Sequence, residues 1–262
     1  MTTAAVAVAA EEGFTPPGPG DFELPAIALG VTKPMLLLVL SAVLVLGFFV
    51  VASRQRAMVP GKLQFAGEQA YGFVRNGIAR DIIGSHDFMK FVPYLVSLFF
   101  FVLINNLFGI IPLLQFPTFS RSGYAYGLAA LTWLLYNGVG VARHGPLGYL
   151  KHQSVPGGVR GPILALIIPL EFVSNIVVRP VTLALRLFAN MFAGHLLLIL
   201  FTLGGEYLLL ESGNLMYAPV GAISFLLAVA ISFLELLVQL LQAYVFTLLT
   251  AMYVSGALAE EH

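Results

Sequence analysis

Two stretches of this chain, 162–203 and 215–256, stay apolar for about forty residues each, roughly twice the ~20 that cross a bilayer as a helix. At ~1.5 Å rise per residue, such a helix is about 60 Å long against a hydrocarbon layer of ~30 Å. Apolar residues persist to both ends, so neither stretch reads as a helix running out into water. The reading that fits is an all-α, polytopic membrane protein. Its last two segments are long, strongly tilted helices, paired as a hairpin through 204–214. Pro169, Pro180 and Pro219 are the positions where these helices could kink.

The remainder of the chain is consistent with this. Of 262 residues 59% are apolar and 10% charged, whereas soluble chains are about a quarter charged. Thirteen basic residues balance thirteen acidic ones, so no net field calls for nucleic acid. The absence of cysteine excludes disulfides, thiolate metal sites and thiol catalysis. Three more apolar runs, 34–52, 91–114 and 124–142, bring the crossings to five within a single membrane domain, 1–262. Residues 1–33 read as an acidic tail: the run from Ala4 to Ala10 has no basic residue before it and leads into Glu11 and Glu12, unlike a secretory signal. Residues 61–90 mix apolar and charged side chains and read as an amphipathic helix on the cytoplasmic surface. Gly67, Gly72 and Gly77 weaken that helix and leave a plain loop as the alternative.

Charge sets the expected topology. Arg54, Arg56, Lys62, Arg75, Arg80 and Lys90 lie between the first two spans, and Arg143, Lys151 and Arg160 between the third and fourth. The opposite side has only Lys33 and Arg121 beside several acids. The positive-inside rule puts the N-terminus outside and the C-terminus in the cytoplasm. Five crossings give the same parity.

The long segments also carry groups that apolar spans exclude. Ionisable side chains at bilayer depth cost a few kcal/mol each, at least about 2.5, and mark function by default. Glu171, Arg179, Arg186 and His195 lie on the fourth segment and Glu235 on the fifth. At ~100° per residue, Glu171, Asn175, Arg179, Thr182, Arg186 and Asn190 fall within about 100° of arc, with His195 opposite. Glu235, Gln239 and Gln242 share one face of the fifth segment in the same way. Two facing polar stripes would make a buried hydrophilic seam. Interhelical hydrogen bonds account for the amides but not for the arginines and carboxylates. Arg186 stays charged at any pH, so it cannot shuttle a proton; it can hold a fixed positive charge at mid-membrane. With no acid within one turn, its counter-ion is expected in another chain. Glu171, His195 and Glu235 can exchange protons and suit aqueous half-channels. Arg179, nearer the helix start, reads equally as a snorkelling side chain, and His195 equally as a hydrogen-bonded packing residue.

The string Leu183-Ala-Leu-Arg186-Leu-Phe-Ala-Asn190-Met-Phe-Ala-Gly-His195 resembles the signature of the a subunit of rotary F-type ATP synthases. Asn105-Asn106-Leu-Phe-Gly-Ile-Ile-Pro112, Glu171 and Leu241-Gln242-Ala-Tyr-Val-Phe246 extend the resemblance over about 34–258. The resemblance implies a non-catalytic, proton-translocating stator subunit in a bacterial plasma membrane. Its partners would be the c-ring, the peripheral-stalk b subunits, membrane lipid and the translocated protons, with no nucleic acid, cofactor or metal. It implies that Arg186 is the essential arginine facing a c-ring carboxylate, that Asn190 and Gln242 flank it, that Glu171 lines a channel, and that His195 and Glu235 are paired in one access channel. Some family members carry the acid and the imidazole of that pair in the opposite order.

The competing class is a proton-coupled secondary transporter. Such folds carry internal repeats around a midplane site, and no repeat is evident here. A membrane enzyme is disfavoured by the lack of zinc, nucleophile-elbow and phosphate-loop motifs. Proton is the expected ion because His195 and Glu235 titrate and no sodium cage is visible.

Overall fold

The computed structural model describes residues 14–22, 30–54, 59–111, 114–154, 163–211 and 215–259. Among these the chain is helical and contains no sheet. Five helices are long and apolar enough to span a membrane. The first, α1 (Lys33–Arg54), opens at Pro34, whose missing N–H costs nothing in a first turn. It buries Leu37, Ser41, Val45 and Ala52 along one face while Val39 and Leu46 lie 63% and 65% exposed on others. Such a greasy outer surface is unstable in water and natural in lipid.

Helix α2 (Lys62–Val74) follows and continues through a wider π segment, Arg75–Arg80, to Ile83. The region is thus helical, and Gly67 shows why a helix breaker is tolerated in it. A Cβ there would lie 2.7 Å from that of Ala52, so α2 crosses α1 too closely for any side chain. Gly84, at φ +93°, ends the helix. Residues 88–90, expected to close the surface helix, instead begin α3 (Phe88–Leu107). In its first turn Lys90 donates back to the carboxylate of Asp87, the residue just before the helix, at 2.8 Å, which holds that carboxyl below its ordinary pKa. The turn after α3 leaves the helix earlier than the expected 114.

Helix α4 (Ser122–His144) buries Ala125, Ala129, Thr132, Tyr136 and Gly140. That stripe at three- and four-residue spacing is mostly small, the pattern that lets membrane helices approach closely. A short α5 (Pro146–Ser154) returns against it. Tyr149 is seated on Gly140, where a Cβ would collide with its ring.

The fourth segment is α6 (Leu164–Val173), a π segment Ser174–Val178, and α7 (Arg179–Glu206), extended by a second π segment to Glu211. It reads as one apolar rod of 46 residues over Leu166–Glu211. Residues 204–211, expected to form the hairpin connection, are therefore still helical. The rod passes Pro180 without breaking, and the cause is local. A proline removes the hydrogen bond to the carbonyl four residues earlier and crowds it. The π segment widens the helix there, and the Ile176 carbonyl accepts a hydrogen bond from Trp133 Nε1 at 2.9 Å. The chain's one tryptophan thus supplies a donor where the helix has lost its own.

The last helix, α8 (Ala218–Leu258), is 41 residues long and packs along α7 and α3. Near the turn of the hairpin the two backbones almost touch: a Cβ on Gly205 would lie 3.3 Å from the Gly221 carbonyl. The main core gathers Val92, Leu95, Phe99, Leu187, Met191 and Phe246 where α3, α7 and α8 meet.

Candidate functional site

The polar residues of α8 point inward. Glu235, Gln239 and Gln242 are 5%, 0% and 3% exposed. Their spacing of four and three residues puts them on the face that packs against α3 and α7. Gln239 Nε2 donates to Glu235 Oε1 at 3.1 Å, and its own backbone carbonyl accepts from Asn106 at 3.2 Å. The carboxyl of Glu235 lies against Gly194, where a Cβ would stand 3.5 Å from Oε1 and Cδ. Gly194 thus gives the acid room beside the α7 backbone.

His195, the next residue along, is also buried. Its 180° offset puts it on the face opposite Arg186, and it is His195 that faces inward, whereas Arg186, expected in the buried seam, faces out. The imidazole has the Phe22 ring 5.9 Å away, edge-on, with Gln115 nearby. Gln115 itself has φ +42°, a strained setting for a residue with a side chain. Among the described residues no hydrogen bond or ion pair joins His195 to Glu235; they are neighbours through Gly194.

Several buried polar atoms here lack a partner among the described residues: His195 Nδ1, Glu235 Oε2, Gln239 Oε1, Gln242 Nε2, and Oδ1 of Asn105 and Asn106. Buried polar groups are normally satisfied by protein or ordered water. A run of such atoms along one interface is suited to bound water. Asn106 belongs to this seam and Asn105 lies beside it on the α1 side; neither was among the site residues read from the sequence. The available signal was two adjacent amides inside an apolar span. Asn105 also ties α3 to α1 by donating to Ser41 Oγ at 2.7 Å.

Toward the other end a second polar group forms. Asn175 is buried, donates to the Gln153 carbonyl at 2.7 Å, and lies 3.5 Å from Glu171 Oε1. Tyr136 donates to the Asn175 carbonyl at 3.3 Å. Tyr149 donates to Asn137 Oδ1 at 3.1 Å and accepts a short hydrogen bond from Gln153. Burial pushes the Tyr149 hydroxyl pKa up and keeps it a neutral donor. Arg179 stacks over the Tyr253 ring at 5.4 Å, a cation–π contact.

The single stripe from Glu171 to Asn190 is not observed. Asn175 is buried between α4 and α5, whereas Thr182 and Arg186 are exposed. A uniform 100° step fails across Ser174–Val178, because a π turn takes up an extra residue and shifts the phase. Nor do the two stripes face each other along their lengths. They meet at Asn190, whose Nδ2 donates to Gln242 Oε1 at 2.9 Å.

Arg186 stands apart. Among the described residues it has neither a hydrogen-bond nor an ion-pair partner. Leu185, Ala189, Ala193 and Leu197 around it are exposed, and the outward face of α8 carries exposed Phe233, Leu237 and Leu241. A permanent cation thus projects from a broad apolar surface.

A family model described as ATP synthase A chain matches residues 35–255, nearly all of α1 to α8. The chain belongs to the ATP synthase subunit a family. A curated relative from Nocardioides sp., named ATP synthase subunit a, is 65% identical across the full length of both chains. Relatives of the same name from Pseudarthrobacter chlorophenolicus and Streptomyces lividans are 52% and 46% identical. They cover 95% and 88% of this chain and 95% and 80% of their own. Membership makes this a component of the membrane Fo sector and a multi-pass bacterial membrane protein. The Asn190–Gln242 bridge, the Glu235 seam and unpaired Arg186 all lie within the matched residues.

Proposed function

We propose that this chain is the proton-translocating stator subunit of an F-type ATP synthase, working against a c-ring and held beside it by the peripheral-stalk b subunits. The observation that carries the reading is Arg186, a fixed cation on an exposed apolar face with no partner among the described residues. Such a group is stable in a membrane only beside an anion or water. A ring carboxylate supplies the anion.

The seam of unpartnered atoms at His195, Glu235 and Gln239 supports one aqueous half-channel, toward the outside. The group around Glu171, Asn175 and Arg179 supports the other, toward the cytoplasm. A proton entering by way of His195 and Glu235 neutralises a ring carboxylate, which then moves into lipid. Near the end of the turn the site meets the second half-channel and releases its proton. Its anion is drawn to Arg186 by about 4 kcal/mol at ~4 Å and an effective dielectric of ~20. The same charge repels a proton trying to pass straight between the half-channels. Asn190 and Gln242 hold α7 on α8 one turn away and fix the direction in which Arg186 points. Each proton falling through 100 mV yields about 2.3 kcal/mol, so several are summed by rotation for one ATP. Loop charge supports an outside N-terminus and a cytoplasmic C-terminus. The competing transporter reading gains no support from the comparisons.

The test is Arg186→Ala and Arg186→Lys in the whole complex reconstituted in liposomes, with and without sodium. Both variants should assemble and fail to pump protons on ATP addition. Lysine fails because it deprotonates when desolvated and lacks the planar fork. Wild-type pumping by either variant contradicts the assignment, and pumping that requires sodium contradicts the ion.

A further inference from the structure

A segment before the first membrane helix reaches the buried imidazole. Residues 14–22 form a short strap on the outer end of the hairpin. Phe14 packs on Tyr207 with ring centroids 5.3 Å apart. The strap then turns at Gly18, whose N–H donates to the Asp21 carboxylate at 2.7 Å. One turn of 3-10 helix, Pro19–Phe22, drives Phe22 inward until it is 5% exposed. Its ring lies 4.9 Å from Phe192 and 5.9 Å from His195.

Phe22 also lines an open cleft of about 850 Å³. Phe22 and Phe192 form its apolar wall, and Thr32, Ser120, Arg121 and Ser122 its polar one. The hydroxyls of Thr32 and Ser120 are buried and without partners among the described residues, so they suit bound water. His195 does not line the cleft. One aromatic layer therefore separates a water-accessible vestibule from the imidazole.

We infer that the cleft is the outer vestibule for proton uptake and that Phe22 is the hydrophobic constriction deciding what passes from it to His195. Apolar constrictions gate by dewetting. Transient water relays a proton past a phenyl ring, whereas a hydrated metal cation cannot shed its shell there. Phe22 thus acts as a selectivity-determining residue. The inference rests on the proposed role of His195 as an uptake station.

The chain has no cysteine, so single reporters are clean. The intact complex in lipid nanodiscs carries His195→Cys, and its reaction with a trimethylammonium thiosulfonate is followed by mass spectrometry. Adding Phe22→Ala should raise the labelling rate at least about tenfold, the factor given by ~1.4 kcal/mol of removed barrier; Phe22→Trp should leave it slow. An unchanged rate in Phe22→Ala overturns the constriction. Thr247→Cys, fully buried on α8, must stay unlabelled in the Phe22→Ala background. Its acceleration would trace the effect to general loosening and also overturn the constriction. Labelling Ser122→Cys in the cleft should slow ATP-driven pumping. Full-rate pumping after that modification, together with accelerated His195→Cys labelling, leaves the constriction standing and overturns proton uptake through it.

Discussion

Replacing Asn190 by leucine removes the donor that joins α7 to α8 one turn from Arg186. The bond is 2.9 Å long, and its acceptor belongs to Gln242, which is 3% exposed and whose Nε2 has no partner among the described residues. Loss of Asn190 strands the whole Gln242 amide, and an unsatisfied buried polar group costs about 1–3 kcal/mol. Gln242→Leu is milder, because half-buried Asn190 is not locked in the core and can turn toward Arg186, one turn away on the same side of α7. The double leucine variant loses the bond but strands nothing, so it should be more stable than Asn190→Leu alone. Interhelical bonds in membranes average about 0.6 kcal/mol and reach about 1.7, a factor of roughly 3 to 18 in the equilibrium. That is the coupling expected from the cycle. The assay is SDS titration of the subunit in mild detergent, followed by loss of helical circular dichroism, beside ATP-driven pumping of the assembled enzyme. Pumping should follow a different order: both single variants and the double should be slow, since each leaves Arg186 less firmly aimed. Strict additivity in stability, or wild-type pumping by the double variant, refutes the reasoning.

Gly140→Ala should displace Tyr149 and loosen α5, because the new Cβ falls inside the tyrosine ring's contact distance; trypsin cleavage at exposed Lys151 should accelerate, and a wild-type cleavage rate would contradict the packing. Glu235→Gln keeps the shape and the Gln239 contact yet removes a titratable oxygen, so pumping should collapse while assembly is kept; sustained pumping would show that Glu235 is only structural. The exchange His195→Glu with Glu235→His should retain more pumping than either single change, since both residues border Gly194. Equal loss in all three would show that they do not act as a unit.

Much of the fold was legible because lipid leaves few options. Apolar run length predicts spanning helices, and the two double-length runs did become the 46- and 41-residue rods. Helical spacing also put His195 and Arg186 on opposite faces, but not which face is buried: the arginine stripe was expected in the seam, and it is His195 that lies inside. Across Ser174–Val178 the reasoning failed, since a π turn has no sequence signature and there Pro180 and Trp133 set the phase jointly. Long-range partners were equally hidden. Only the family resemblance, not the residue pattern, brought Glu235 to the His195 region, and nothing in the tail announces that Phe22 meets His195. Gly67, read as a helix breaker, proved to be a contact with α1: its value depends on a neighbour that local propensity cannot see.

A density map of the assembled membrane sector bears most directly on the central claim. The Arg186 guanidinium should face the ring, within hydrogen-bonding distance of a ring carboxylate or separated from it by one water, with no acid of its own chain beside it. A guanidinium already paired with Glu171 or Glu235 and turned from the ring would contradict the account.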